Sequence, residues 1–220
     1  MKASPYGGRI PYFENIDDVA FDGDALGVAL AVAPEFDIAC CNWPDSYPYT
    51  PHCSVRLAHG RHYLCCLFST DSLRIAAHTT ADLGPVAADS CVEFFLQPDG
   101  SDEYWNFEFN IIGRLNASHR RTRPDAVRLS AAELGSVVRH CSCGTAAFDE
   151  RDADGPWRLA AAIPLGLMTD GTVLPRAFQG NIYACASSLT VPYYLSHAPI
   201  ATPEPDFHRP EFFVPFILEP

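Results

Sequence analysis

Residues 89–110 read DSCVEFFLQPDGSDEYWNFEFN. Side chains on a strand alternate between faces, so Val92, Phe94 and Leu96 share one face of the first half while Cys91, Glu93, Phe95 and Gln97 share the other. The second half repeats the rule. Trp105, Phe107 and Phe109 point one way, and Tyr104, Asn106, Glu108 and Asn110 the other. PDGSD between them is turn chemistry, and a connection over Pro98–Glu103 places Glu93 opposite Glu108, Cys91 opposite Asn110 and Phe95 opposite Asn106. The apolar set builds a core. The polar set has two readings: it is the solvated face of an antiparallel sheet, or it is a shallow binding face whose carboxylates and amides meet the hydroxyls of a sugar. In the first reading the two opposed glutamates repel at a cost of a few tenths of a kcal/mol to about 1 kcal/mol.

Working outward, strands dominate. Cys53–Leu57 and Tyr63–Thr70 flank AHGRH and form a hairpin, with Gly60 supplying the turn. Leu26–Val32 reads as an opening strand, residues 72–78 as another, and Asn110–Leu115 as a third, followed by the basic stretch HRRTR as an exposed loop. One helix has a start signal: Ser130-Ala-Ala-Glu133 is a capping box, followed by Leu134, Val137 and Val138. Phe148, Trp157–Ile163 and Asn181–Ala186 continue the β pattern. The proline- and aromatic-rich tail from Pro192 wraps the sheets as extended chain before Phe212–Leu218 closes the fold. Many short strands with one short helix predict an all-β, antiparallel, jelly-roll-like β-sandwich occupying residues 1–220 as one domain.

Charge narrows the partners. With 27 acidic and 15 basic residues the net charge is −12, which repels nucleic-acid phosphates and anionic membranes and favours neutral or cationic ligands. The most apolar N-terminal stretch, Ala25–Pro34, lies too far in for a signal peptide, and no run approaches the ~18 residues of a membrane span. A soluble, cytoplasmic protein is expected. Nine cysteines, two adjacent pairs of them in apolar segments, fit free thiols in a reducing compartment. Cys141-Ser-Cys143 beside His140 could ligate metal but lacks a second pair at zinc-like spacing.

The strings DSCVEFF (89–95) and YWNFEFN (104–110), with WRLAAAIP (157–164), NIYAC (181–185) and PDFHRPEFF (205–213), resemble the carbohydrate-binding family 9-like proteins, relatives of the family 9 modules of xylanases. The resemblance runs from about residue 45 to the C-terminus. It implies a β-sandwich without catalysis of its own, with aromatic rings flanking a mono- or oligosaccharide bound by polar strand residues. By position it makes Glu93 the site glutamate and puts Glu108 and Asn110 where sugar-binding modules carry an Arg-x-Asn pair. The family's stacking tryptophans would fall at Ala87 and His197, which leaves stacking to Tyr193, Tyr194 and His197. The expected hydrogen-bonding set is Glu93, Asn106, Glu108 and Asn110, with His197, His208 and Arg209 at the rim.

Three other chemistries compete. Glu93 and Glu108 could serve as the carboxylate pair of a glycoside hydrolase, although direct cross-strand neighbours sit at the short end of the separations such pairs use. Met168, the only internal methionine, could ligate haem between the sheets. Asp99, Asp102 and Glu103 share one loop that could take calcium, without diagnostic spacing. Asn116-Ala-Ser118 is a glycosylation sequon, meaningful only on an exported chain.

Overall fold

A computed structural model describes residues 7–169 and 176–220. Along the chain run β1 (Gly8–Ile10), α1 (Ile16–Val19), α2 (Gly23–Leu30), β2 (Glu35–Asp37), β3 (Cys40–Cys41), β4 (His52–His59), β5 (Tyr63–Asp71), β6 (Arg74–Ala77), β7 (Cys91–Pro98), β8 (Tyr104–Asn110), β9 (Leu115–Arg120), β10 (Val127–Arg128), α3 (Ala131–Ser136), β11 (Val138–Cys141), β12 (Phe148–Asp152), β13 (Trp157–Pro164), β14 (Ala177–Ala186), β15 (Tyr193–Ser196) and β16 (Val214–Leu218). The larger sheet has the order β1-β16-β14-β7-β8-β9-β10, with β15 and β3 branching from β14, and the opposing sheet is β11-β13-β5-β4-β2. Among the described residues, only the β1–β16 pair in these two sheets is parallel. The fold is an antiparallel β-sandwich.

The core between the sheets is the one the alternation predicts. Val92, Phe94, Leu96, Trp105, Phe107 and Phe109 pack against Val55, Leu57, Phe68, Trp157 and Leu159 of the opposite sheet. At roughly 25 cal/mol per Å² of apolar surface, each such aromatic ring contributes a few kcal/mol of burial free energy. The β4–β5 hairpin pairs in register from His52–Asp71 to His59–Leu64. Its turn is closed by the Asp17 carboxylate, which accepts from Arg61 N at 2.9 Å and His62 N at 3.1 Å. Gly60 is required there because a Cβ would lie 2.1 Å from Asp17 Oδ1.

Four expectations are corrected. Leu26–Val32 is not a strand: Asp22 caps α2 by accepting from Asp24 N and Ala25 N, and Leu26 and Leu30, four residues apart, bury one face of the helix against the second sheet. Val28 and Val32, left exposed, made the run look uniformly apolar. Helix therefore occurs at α1 and α2 as well as at α3, where the one short helix was expected. Asn110–Leu115 is mostly a turn, with Gly113 at φ 77°, and the strand begins at Leu115. It runs on through His119 and Arg120, so the front of HRRTR is β9 and not loop; Arg120 pairs in register with Tyr104.

The capping box is formed in both directions: Ser130 N donates to Glu133 Oε2 at 2.7 Å and Glu133 N to Ser130 Oγ at 3.3 Å. Ser130→Ala is expected to cost about 1 kcal/mol, a fall of about 2–4 °C in a thermal melt. An unchanged midpoint would show that α3 is held by the burial of Leu134 alone. Among the described residues no helix is long and apolar enough to cross a membrane.

Candidate functional site

The polar face of β7 and β8 is neither solvated nor an open, shallow platform. Glu93 is 3 % exposed, Glu108 6 %, and Asn106 and Asn110 are fully buried. The reason lies about a hundred residues downstream. The tail lays Phe207, His208 and Phe213 over Phe95, Tyr104 and Tyr183, which project from this face, and Phe207 and Phe213 join these rings, Trp43 and Ile200 in a second apolar cluster. Tyr183 stacks on Phe207 with ring centroids 4.3 Å apart and its hydroxyl donates to Phe207 O at 3.1 Å. Arg123 pairs with Asp206 at 3.0 Å and ties the tail to the β9–β10 connection. What stays open is a cleft of about 580 Å³ bounded by Glu93, Glu108, Asn116, Arg120 and Cys185 from the strands, Tyr47, Ala87 and Tyr194 at one side, and Glu204 to His208 of the tail at the other.

The strand register explains the floor. Glu93 pairs with Glu108 as predicted, Glu108 pairs with Asn116 on β9, and Glu93 pairs with Tyr183 on β14, so one row of polar side chains crosses four strands. The expected repulsion between the glutamates is relieved chemically. Asn106 Nδ2 donates to Glu108 Oε1 at 2.9 Å and Asn116 Nδ2 to Glu108 Oε2 at 2.8 Å. Burial pushes the Glu93 carboxyl well up from its ordinary value, reinforced by Cys185 and Glu108. Burial also raises Glu108, against the opposing pull of the Asn116 amide and the Arg120 guanidinium.

His208 completes the tail side. Its Nδ1 lies 3.1 Å from the Tyr104 hydroxyl and its Nε2 3.8 Å from Glu108 Oε1. Burial, then Arg120 and Arg123, push its pKa down to about 3, so the ring is neutral. A neutral ring with a buried carboxyl, two amides and a phenol offers donors and acceptors together, which is what a hydroxyl-rich ligand needs.

The structure brings Glu93, Glu108, Tyr194 and His208 together at the cleft and leaves the other expected residues elsewhere. Asn106 lies under the floor, where it also accepts from Ser118 Oγ at 2.7 Å. Asn110 is committed to structure: its amide donates to Asp89 Oδ2 at 2.8 Å and Thr79 O at 3.0 Å. His197 packs edge-on against Phe36, accepts from Gly7 N and donates from Nδ1 to Asp37 O at 2.7 Å. Tyr193 points into the sandwich core, being one residue out of phase with Tyr194. Arg209 turns outward to Glu211. Neither Tyr193 nor His197 can therefore replace a missing stacking ring. Tyr194 remains, with Tyr47 edge-on to it at 4.7 Å, and Ala87 leaves one wall low.

Asn116, Arg120, Tyr47, Cys185 and Asp206 were not anticipated. The first two had a signal in the alternation of Asn116, Ser118 and Arg120, which continues the polar face of β8. That places the sequon asparagine at the cleft. The proposed calcium loop is otherwise engaged, with Asp102 pairing with Arg121 and Glu103 with His119. Met168 is buried in the apolar core, and His140 Nε2 bonds Ala20 O. Two further depressions, of about 580 and 690 Å³, sit at the β4–β5 turn and on the outer face of the second sheet. Neither includes a residue of the β7–β8 polar face.

The model of carbohydrate-binding family 9 matches residues 27–218. The chain belongs to carbohydrate-binding family 9. Among solved structures, a candidate carbohydrate-binding protein of Bacteroides uniformis is 30 % identical, with a TM-score of 0.90 over 97 % of this chain and all of that one. Family 9 modules of Caldicellulosiruptor kristjanssonii, solved with cellotriose and with glucose, have TM-scores of 0.58 at 9 % identity, covering 96 % of this chain and 92 % and 94 % of theirs, and share the fold. No curated protein matches the chain. Within the family 9 fold, the tail of this chain forms one wall of the cleft, and its polar floor is the register-matched row on β9, β8, β7 and β14.

Proposed function

We propose that this family 9 chain is a non-catalytic sugar-binding module whose ligand, a mono- or short oligosaccharide, enters the cleft between the polar strand row and the C-terminal tail. The observation that carries this reading is the combination of a partly apolar cleft of ligand size, about 580 Å³, with convergent hydrogen-bonding groups on its floor and an aromatic side wall at Tyr47 and Tyr194. Glu108 accepts from ligand hydroxyls on lone pairs left by Asn106 and Asn116, the Glu93 carboxyl adds a second hydrogen-bonding group, and Tyr194 packs on the apolar face of a pyranose ring. Since modules of this fold are known with glucose and cellotriose, gluco-configured sugars are the first ligands to test.

A hydrolase is less well supported by the same geometry. Glu93 and Glu108 are direct cross-strand neighbours, whereas glycosidase carboxylates flank a scissile bond from both sides. Calorimetric titration with glucose, cellotriose and a panel of other mono- and oligosaccharides should give saturable binding that drops at least ~10-fold in Glu108→Ala and in Tyr194→Ala. Turnover of aryl glycosides, or affinity unchanged in both folded variants, would overturn the proposal.

A further inference from the structure

Two thiols and a carboxyl converge at the bottom of the cleft. Cys91 and Cys185 are register partners on β7 and β14, and Glu93 lies on the same face two residues from Cys91. Cys185 Sγ is 3.4 Å and Cys91 Sγ 3.9 Å from Glu93 Oε1, and the three donor atoms all lie within 4.8 Å of one another. All three residues are buried. A tetrahedral zinc ion with Zn–S of about 2.3 Å and Zn–O of about 2.0 Å sets sulfur and oxygen donors ~3.5 Å apart and two sulfurs ~3.8 Å apart. The observed sulfur–oxygen edges bracket that requirement, so the ion needs side-chain adjustments of only tenths of an ångström along them.

We propose that Cys91, Glu93 and Cys185 form a three-ligand site for a thiophilic divalent cation, zinc above all, with its fourth position open to the cleft that Glu93 and Cys185 line. Two sulfur donors select zinc over calcium or magnesium, which take oxygen. Three protein ligands with one open position is the arrangement of zinc sites that bind an exogenous molecule. Without metal, the Cys91 S–H lies against Glu93 Oε1 and Val92 O, and the Cys185 S–H against Glu93 Oε1 and Ala87 O. Metal entry expels these protons, leaving one net negative charge where the bare ligands would carry three, so affinity rises with pH. Cys141 and Cys143 do not compete on this ground, because no third donor joins them among the described residues.

The proposal does not rest on the glycan reading, although Glu93 and the cleft are common to both, and its test contains no sugar. Reduced, chelator-treated protein is titrated with Co²⁺ and then Zn²⁺. The expected result is one equivalent of Co²⁺ with a thiolate-to-cobalt charge-transfer band, displaced by Zn²⁺, and stronger at pH 8 than at pH 6. Cys91→Ser and Cys185→Ser each abolish the band, Glu93→Gln weakens affinity by at least about tenfold, and the Cys141→Ser/Cys143→Ser double variant retains it. Should the core cysteine variants not fold, zinc-edge absorption on the unaltered protein decides, with two sulfurs and one or two oxygens in the first shell expected. No thiolate band, a first shell without two sulfurs, or a band that persists in folded Cys91→Ser and Cys185→Ser overturns the assignment.

Discussion

Tyr183→Ala lowers the thermal midpoint by about 6–20 °C and removes sugar binding together with it. Tyr183 is fully buried, and it is where the tail is fastened: its ring stacks on Phe207 at 4.3 Å and meets Phe95 edge-on at 5.0 Å, while its hydroxyl holds Phe207 O. Large-to-alanine changes at such sites cost about 3–5 kcal/mol, and a chain of this size loses about 2–4 °C per kcal/mol. The tail wall of the cleft, Glu204 to His208, is built on that contact. Tyr183→Phe, which keeps the ring and loses only the hydroxyl bond, should cost about 1 kcal/mol and leave binding within a few-fold. Calorimetric melts and sugar titration on both variants check this. Equal behaviour of the two would mean that stacking on Phe207 does not hold the tail.

Acidification is the second large effect, and its sign is opposite for different groups in the cleft. His208 has a folded-state pKa of about 3 against an ordinary 6.5, so the unfolded chain binds its proton first. Its stabilising contribution is complete above about pH 6.5 and is lost as pH falls towards 3, on the order of a few kcal/mol. Glu93 and Glu108 are raised, so in metal-free protein their contribution is complete below about pH 4.5 and is lost as pH rises through their folded values. The two slopes oppose each other between about pH 4.5 and 6.5, and below that only the loss from His208 remains among these three. Stability therefore peaks at mildly acidic pH. In His208→Phe, which keeps the packing against Phe95 and Tyr104, the acid limb flattens and the peak moves down in pH; urea unfolding from pH 3 to 8 reads it directly. An acid limb identical to that of the unaltered protein would assign the loss to other groups.

Much of the strand pairing was legible because it is local. The Glu93–Glu108 register follows from a period of two on each side of the six-residue connection Pro98–Glu103, and a slip by one would have sent Phe94 and Phe107 to the wrong face. The capping box at Ser130 was legible for the same reason, since both partners lie within four residues. Helix α2 was missed although Asp22 and the Leu26–Leu30 spacing marked it, because exposed Val28 and Val32 mimic the continuous apolarity of a buried strand. Asn116 and Arg120 were missed because the basic run HRRTR, which includes Arg120 and follows Asn116 closely, looked like loop.

From residues 89–110 alone it follows which side chains build the core and which share the opposite face, since pleat and turn chemistry act between neighbours. Whether that opposite face meets water, a ligand or protein is decided only by tertiary contact. The covering residues, Phe207, His208 and Phe213, lie about a hundred positions away and act through burial, which has no sequence period. Tertiary packing turned a row of carboxylates and amides into the buried floor of a cleft, moved the ionisation of Glu93, Glu108 and His208, and set Cys185 beside Cys91 and Glu93. Desolvation and proximity belong to the folded surface and not to any one strand.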